Sequence, residues 1–450
     1  MDIVIVGAGK IGRHICAVLN QEDHNLRLIE QDEETLERVT QTQDLIGIVG
    51  NGSSFRVQCE AEVQQADVFI ALTHQDEVNL MACVIAKSLG AKFTIARVRN
   101  PDYADYSTEM RNALGISLLI NPDLLAAREI SRMIQFPNAL SVEPFAFNRV
   151  NLVAVMVPQD HAFIGRDLVY FRQQTPGVLV CSIERDGESF IPDGRTILEA
   201  EDRLHLTGSL QSLRKIYKLF SSGHDVLHSL MIVGAGHITS YLLTLLGRNN
   251  MEIKIIEQSR RKAELLAELF PHTHVALGDG TNQIFLLEEG IESYDCTLAL
   301  TGIDEENILV SLFSAASKVP RNITKVNRLE LLRVIQSSEL QSIVTPYELA
   351  TNEILRVIRS LNQDETSDME AMYRIAGGQV EAMQFEVREQ SRIIDKPLSK
   401  LELKPHILIG YIVRGRDVIV PGGSDSIRVG DHVIVVTQNQ AIVNLDDCLL

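Results

Sequence analysis

No run of roughly 18 consecutive apolar residues occurs in the 450-residue chain, so no segment is expected to cross a membrane as a helix. Basic residues are in short supply. There are 42 lysines and arginines against 60 aspartates and glutamates, the net charge is −18, and no basic cluster stands out. Binding a phosphate backbone needs a cationic face, so the balance argues against a nucleic-acid partner. The cysteines Cys16, Cys59, Cys83, Cys181, Cys296 and Cys448 are scattered without a C-x-x-C pair, and the opening residues read as a β-strand, not a signal peptide. That combination is expected of a reduced, cytoplasmic protein. Nucleophile-elbow, HExxH and complete P-loop motifs are all missing. His272 and His274 form an HxH, but no further ligand spacing completes a metal site, and they read as a surface turn. The many carboxylates read as a solvated face, not as paired acid and base. With 45% hydrophobic and 23% charged residues, the chain can bury several cores, and about two to four domains are expected.

What the chain does contain is the front of a dinucleotide-binding fold, twice. The N-terminal DIVIVGAGKIGRHI is answered by LMIVGAGHITSYL, so that Gly7 corresponds to Gly234 at an offset of 234 − 7 = 227. Glu30 answers Glu257, Gly50-Asn51-Gly52 answers Gly278-Asp279-Gly280, and Ala71 to Asn79 (ALTHQDEVN) answers Ala299 to Asn307 (ALTGIDEEN). Farther on, Asn121-Pro122 answers Thr345-Pro346, and IPDG…EDRLHLTG answers VPGG…GDHVIVVT, with Pro192 matching Pro421. Each half therefore repeats one order of parts. The expected fold is α/β: two Rossmann-like parallel-sheet modules (1–120 and 229–345), each followed by a connector helix (121–138 and 346–361) and a small α+β C-terminal module (139–222 and 381–450).

In the first module, Asp2 to Val6 is a continuous apolar run of the kind a doubly covered parallel strand requires. It leads into Gly7-Ala8-Gly9-Lys10-Ile11-Gly12, where Gly7 permits the tight turn, Gly9 admits a pyrophosphate to the backbone, and Gly12 lets helix and strand pack closely. Phosphates are expected at the helix N-terminus, where free N–H groups and the dipole favour an anion by about 0.3 to 2 kcal/mol. Glu30, at the end of a second strand, stands where such folds read the hydroxyls of an adenosine ribose. A 2′-phosphate about 4 Å from it would be repelled by about 4 kcal/mol per unit charge at an effective dielectric near 20, which disfavours NADP. Three more strand ends point at the same cleft. Asn51 is placed toward the adenosine, Thr73 toward phosphate or ribose, and Arg97 or Arg99 toward a phosphate; plain turn formation is the alternative for each.

The second fingerprint, Gly234-Ala235-Gly236-His237-Ile238-Thr239, keeps the two glycines needed for the turn and the phosphate but has Thr239 in the third place. A β-branched residue there is expected to push helix from strand. Glu257, Asp279 and Thr301 keep the ribose-side chemistry, whereas Lys325 and Asn327 stand where the first copy has Arg97 and Arg99. This leaves open whether the second copy binds a nucleotide, and whether His237 faces a phosphate or solvent. After each module comes a Pro-opened helix, Pro122 to Met133 and Pro346 to Leu361, with apolar residues on more than one face, as a crossover between modules or subunits would need. Short strands at 150–157, 178–183, 203–206, 407–414 and 432–437 follow. The polar run 362–371, NQDETSDMEA, reads as a flexible linker.

Together the GAGKIG turn with Glu30, the GNG or GDG turns, the ALTxxDExN segments, Ala96-Arg97-Val98-Arg99-Asn100-Pro101 and the terminal P-x-G…GD segments resemble the RCK (or KTN) domain family. Two such domains in one chain of this length resemble the cytoplasmic regulatory subunits of Trk-type bacterial potassium uptake systems. The resemblance implies that NAD(H), or ATP and ADP, bind in the N-type modules. It implies a homotetrameric ring, held at the inner face of the membrane by a separate potassium pore whose conduction it alters. Carried over by motif, Gly7, Gly9, Gly12, Glu30, Asn51 and Thr73 would bind one nucleotide, and Gly234, Gly236, Glu257, Asp279 and Thr301 a second. The chain departs from the family pattern at Lys10, Asn51 and Thr239. The rival class is an NAD-dependent oxidoreductase, which would need a proton donor beside the nicotinamide on a sizeable second domain; no such constellation stands out. A scaffold that has lost its ligand is a third reading, for the second half only.

Overall fold

The computed structural model describes the chain apart from residues 23, 105–106, 137–140, 146–149, 221–226, 248–250, 329–330, 332–339, 341, 362–368, 376–379, 416, 439–441 and 443. Most of the expected linker at 362–371 lies outside the described residues.

The N-terminal apolar run forms β1 (Asp2–Val6), a central strand of a six-stranded parallel sheet with β2 (Asn25–Glu30), β3 (Ile46–Val49), β4 (Val68–Ala71), β5 (Phe93–Arg97) and β6 (Leu118–Ile120). Its alternate residues enter two cores. Ile3 and Ile5 pack with Ile15 and Leu28 on one face, and Val4 and Val6 pack with Phe69 and Cys83 on the other. Burial on both faces is why the run shows no polar alternation. The order β3-β2-β1-β4-β5-β6 reverses between β1 and β4, which opens a crevice at the carboxyl ends of the strands.

Beyond the connector helix Pro122–Gln135, the chain forms an antiparallel sheet from β7 (Ser141–Phe145), β8 (Val150–Met156), β9 (Val178–Arg185), β10 (Glu188–Phe190) and β11 (Arg203–Gly208), ordered β10-β9-β11-β8-β7. The second half repeats both sheets. A parallel one holds β12 (Ser229–Val233), β13 (Glu252–Glu257), β14 (His274–Leu277), β15 (Cys296–Ala299), β16 (Arg321–Lys325) and β17 (Ser342–Val344), in the order β14-β13-β12-β15-β16-β17. The connector Pro346–Leu361 follows, then β18 (Met369–Ile375), β19 (Val380–Glu386), β20 (Ile407–Arg414), β21 (Asp417–Ile419) and β22 (His432–Thr437), ordered β18-β19-β22-β20-β21. The fold class read from the sequence is the one observed.

The compact units do not follow the two halves. Met1–Ser131 and Leu227–Ile358 form one, and Arg132–Val226 and Arg359–Leu450 form the other, so like modules pair. In the first unit the connector of the second half crosses over: Ala350, Ile354, Leu355 and Ile358 enter the core of the first parallel sheet beside Ile3, Ile15 and Leu19. Each such Ile or Leu contributes about 1.5 to 3 kcal/mol of burial. The second unit joins the two antiparallel sheets through Leu152 and Cys181 against Val380, Ala382, Tyr411 and Val436, with the Tyr411 hydroxyl donating to the Gly177 carbonyl at 3.0 Å.

The repeated GD or ED of the small modules has a structural purpose. Asp202 and Asp431, both buried, each accept a two-pronged bond from an arginine of the neighbouring strand, Arg185 at 2.7 and 2.8 Å and Arg414 at 2.9 and 2.7 Å. Fork-to-fork geometry of this kind fixes strand register as well as adding energy. One residue breaks the symmetry of the two sheets: His205 of β11 aligns with Ile434 of β22. It is 3% exposed and both ring nitrogens lack a partner. Burial above all, with Glu184 opposing and Arg203 assisting, pushes its imidazole down from 6.5 to about 4. Between those values the unfolded chain takes up a proton that the folded chain refuses. The pH-dependent cost of His205 should therefore vanish above pH 6.5 and should remove about 3 kcal/mol of stability as pH falls toward 4. Denaturant unfolding across this range should show that loss, and His205→Leu should abolish it; identical acid limbs in both proteins would contradict the assignment.

Candidate functional site

Both glycine turns take the shape their residue types predict. Gly7 sits at φ +100° and Gly234 at φ +107°, a region in which a side chain is strained. A Cβ at Gly12 would lie 2.0 Å from the Gly7 carbonyl oxygen, which is why the first helix tolerates only glycine there. The second copy carries a Cβ at this position, that of Thr239. The Thr239 hydroxyl donates to the Gly234 carbonyl at 2.6 Å, and the side chain is fully buried. The helices Lys10–Leu19 and His237–Leu246 begin at Gly9 and Gly236 with no side-chain cap, leaving first-turn N–H groups for an anion.

The carboxylates at the ends of β2 and β13 brace these turns. Glu30 accepts from the Ala8 N–H at 2.6 Å and from the Gln31 and Asp32 N–H groups at 2.7 and 3.1 Å. Glu257 accepts from Ala235 at 2.8 Å and Ser259 at 2.7 Å. An ionised carboxylate has about four acceptor directions, so Glu257 keeps about two for a ribose and Glu30 about one. Ala8 and Ile11 contribute backbone only, since their side chains are buried in the first core.

Across each cleft a buried asparagine organises the opposite wall. Asn79 accepts from the Thr73 N–H at 2.8 Å and the Thr73 hydroxyl at 2.7 Å, and donates to the Thr73 and Arg97 carbonyls at 3.0 and 2.9 Å. Asn307 accepts from the Thr301 N–H at 2.7 Å and donates to the Thr301 and Lys325 carbonyls at 3.3 and 3.0 Å. Arg97 and Lys325 each donate to the carbonyl of the same threonine, at 3.1 and 2.8 Å. Asn51 and Asp279 are turn formers in the structure: each accepts from the N–H and hydroxyl two residues on, Ser53 at 2.9 and 2.8 Å and Thr281 at the same distances. Those bonds hold the Asp279 carboxyl below the usual range. Asn79 and Asn307 were legible as repeated residues, but nothing in their spacing marked them as the centre of a wall.

The second glycine turn faces a cleft of about 630 Å³ lined by Gly234, Gly236, Glu257, Asp279, Thr301 and Lys325. Two lining residues, Arg99 and Asp123, come from the first half of the chain. The structure thus places Arg99 against the second cleft. Asp123 carried no signal in the repeat, because its counterpart is Tyr347. His237 is half-exposed, with Nδ1 3.5 Å from the Asp123 carboxylate. Burial pushes the Lys325 ammonium down, while Asp123 and Asp304 hold it up. Burial and the neighbouring Arg99 likewise lower Arg97. The Nε atoms of Arg97 and Arg99 are both buried without a hydrogen-bond partner. Among the described residues no group of His, Cys, Asp and Glu is arranged to hold a metal ion, and His274 lies in β14. None of the described helices is long and apolar enough to cross a membrane.

Tandem Rossmann-like modules with braced glycine turns, each followed by a small antiparallel sheet, define the class of fold, and known proteins share it. The TrkA-N domain family matches residues 3–122 and 230–346, and the TrkA-C domain family matches 152–221 and 382–446. The chain belongs to the TrkA family. It is 32% identical over 449 residues to a Trk system potassium uptake protein TrkA homolog of Archaeoglobus fulgidus, covering 99% of each chain. It is 31% identical to the Trk system potassium uptake protein TrkA of Haemophilus influenzae, covering 97% of this chain and 95% of that one. A solved GsuK channel bound to NAD shares the fold at a TM-score of 0.60 and 17% identity, over 97% of this chain and 77% of that one.

Removing the Asn79 side chain takes the partner from the Thr73 N–H and the Arg97 carbonyl in a buried wall, at about 1 to 3 kcal/mol for each group left unpaired, while the Thr73 carbonyl keeps its bond from Arg97. Asn79→Ala is therefore expected to lower the unfolding free energy by about 3 kcal/mol in chemical denaturation, and Asn307→Ala by a similar amount. A change within about 0.5 kcal/mol, the scale of ordinary surface substitutions, would remove the asparagine from this role.

Proposed function

We propose that the chain is a nucleotide-responsive regulatory subunit of a potassium uptake system, binding NAD(H) or ATP and ADP in its two clefts and controlling a separate membrane pore. The observation that carries this reading is the pair of glycine turns, each braced by a ribose-facing carboxylate, in a chain that matches Trk system potassium uptake proteins from end to end. The first nucleotide would contact Gly7, Gly9, Lys10, Gly12, Glu30, Thr73 and Arg97; the second, Gly234, Gly236, Glu257, Asp279 and Thr301. Asn51 would act through its turn. NAD and ADP share the adenosine ribose that Glu30 and Glu257 face, so the carboxylates favour either over a 2′-phosphorylated nucleotide.

The six-part division of the chain, the homotetrameric ring, and a position on the cytoplasmic face held by the pore are parts of the same proposal. Regulation, not catalysis, is favoured by the relatives' names and by the small antiparallel modules, which are short for a dehydrogenase substrate domain. A bound nucleotide can shift the conducting equilibrium only by its differential affinity for two arrangements of the modules. The Pro122 and Pro346 connectors, where parallel-sheet modules hand over to antiparallel ones, are where such a difference would be transmitted.

Calorimetric titration of the full-length chain with NADH, NAD, ATP and ADP should give saturable binding. Glu30→Ala and Glu257→Ala should each weaken one site by tenfold or more, about 1.4 kcal/mol, and the double variant should weaken both. Affinities unchanged in the double variant would overturn the reading of both clefts.

A further inference from the structure

The second cleft is not built by its own module alone. Arg99 follows β5, and Asp123 is the second residue of the connector helix Pro122–Gln135; both belong to the first half of the chain, and both line the cleft at Gly234 and His237. The Arg99 backbone and the Asn121 side chain that precedes the connector are tied to the helix that starts there. The Tyr241 hydroxyl, one turn into that helix, donates to the Arg99 carbonyl at 3.1 Å and accepts from Asn121 Nδ2 at 2.9 Å. The Arg99 N–H is fixed by the Asp76 carboxylate at 2.9 Å. Arg99 is thus held by main-chain bonds, and its Nε is buried with no partner, beside an uncapped helix N-terminus and Lys325.

Asp123 is the anion already in place. Its carboxylate lies 3.5 Å from His237 Nδ1, and its charge supports the buried Lys325 ammonium. The first turn of its own helix also favours a negative charge. The other repeat has Asn327 and Tyr347 at the corresponding positions, so duplication of the fold did not supply this pair of charges.

We propose that Arg99 and Asp123 complete the second cleft as a composite site: Arg99 donates to a phosphate of the bound adenine nucleotide, and Asp123 is the resident carboxylate which that phosphate displaces from His237. The proposal rests on the nucleotide reading above and adds the residues that set preference by phosphate charge. It follows that a nucleoside without phosphate leaves Asp123 in place, whereas a diphosphate drives it away. Displacement acts on the second residue of the helix through which the chain leaves this unit, so occupancy and connector position are linked.

The test uses the full chain carrying Glu30→Ala, which weakens the first cleft so that the second dominates, titrated with adenosine, AMP and ADP. Asp123→Asn is expected to raise ADP affinity about tenfold while adenosine changes less than twofold. A gain of affinity cannot come from misfolding. Arg99→Gln is expected to lower ADP affinity about tenfold, AMP affinity by less, and adenosine hardly at all. Equal shifts for all three ligands, or no shift in either variant, would overturn the composite site while leaving the nucleotide reading standing. Binding that is absent in the parent, or indifferent to Glu257→Ala, would overturn both.

Discussion

One hydrogen bond, made twice, holds the chemistry of this chain together: the N–H after the first glycine donates to the carboxylate at the end of the neighbouring strand. It is Ala8 to Glu30 in one copy and Ala235 to Glu257 in the other. The bond ties the turn to β2 or β13, and so fixes where the first N–H groups of the following helix point. Because the acceptor is charged, the bond is stronger than a neutral one and survives in a half-solvated cleft. The opposite wall depends on a comparable centre, the buried amide of Asn79 or Asn307, which joins the ends of two strands alongside the Arg97 or Lys325 bond to the same threonine carbonyl.

The duplication preserved these backbone-directed bonds and let the charges drift. Lys10 is replaced by His237, Arg97 by Lys325, Arg99 by Asn327, and Asp123 by Tyr347. Strand order, register and the asparagine walls are the same in both copies, so the substitutions alter what each cleft attracts and not how it is built. Thr239 shows how such drift is absorbed. A Cβ at Gly12 would meet the Gly7 carbonyl oxygen, whereas in the second copy the Thr239 hydroxyl turns the corresponding carbonyl of Gly234 into a hydrogen-bond partner.

Much of this was legible in the sequence, for local reasons. Continuous apolar runs, a glycine spacing with a carboxylate some twenty residues on, and Pro-opened amphipathic stretches each depend on neighbours a few residues apart. In the structure these stretches are β1, the two glycine turns, and the helices Pro122–Gln135 and Pro346–Leu361. What sequence could not show depends on which modules pair. The apolar face of Pro346–Leu361 enters the core of the other half. Arg99 reads from its position as a residue of the first cleft, yet lines the second. Asn51 reads equally well as an adenosine contact or a turn former, and its Oδ1 is engaged in the turn. Neither Asp123 nor the pairing of like modules leaves a mark in the periodicity, since both arise only when distant segments meet.

The central claim is that the two parallel-sheet modules answer a nucleotide as one body. Hydrogen exchange of the full-length chain with and without ADP tests it most directly, because local opening is read segment by segment. The account predicts protection at 234–240 together with the first-half segments 97–100 and 121–125 in the Glu30→Ala background, where the first cleft is weakened. Protection confined to 229–345 would contradict it.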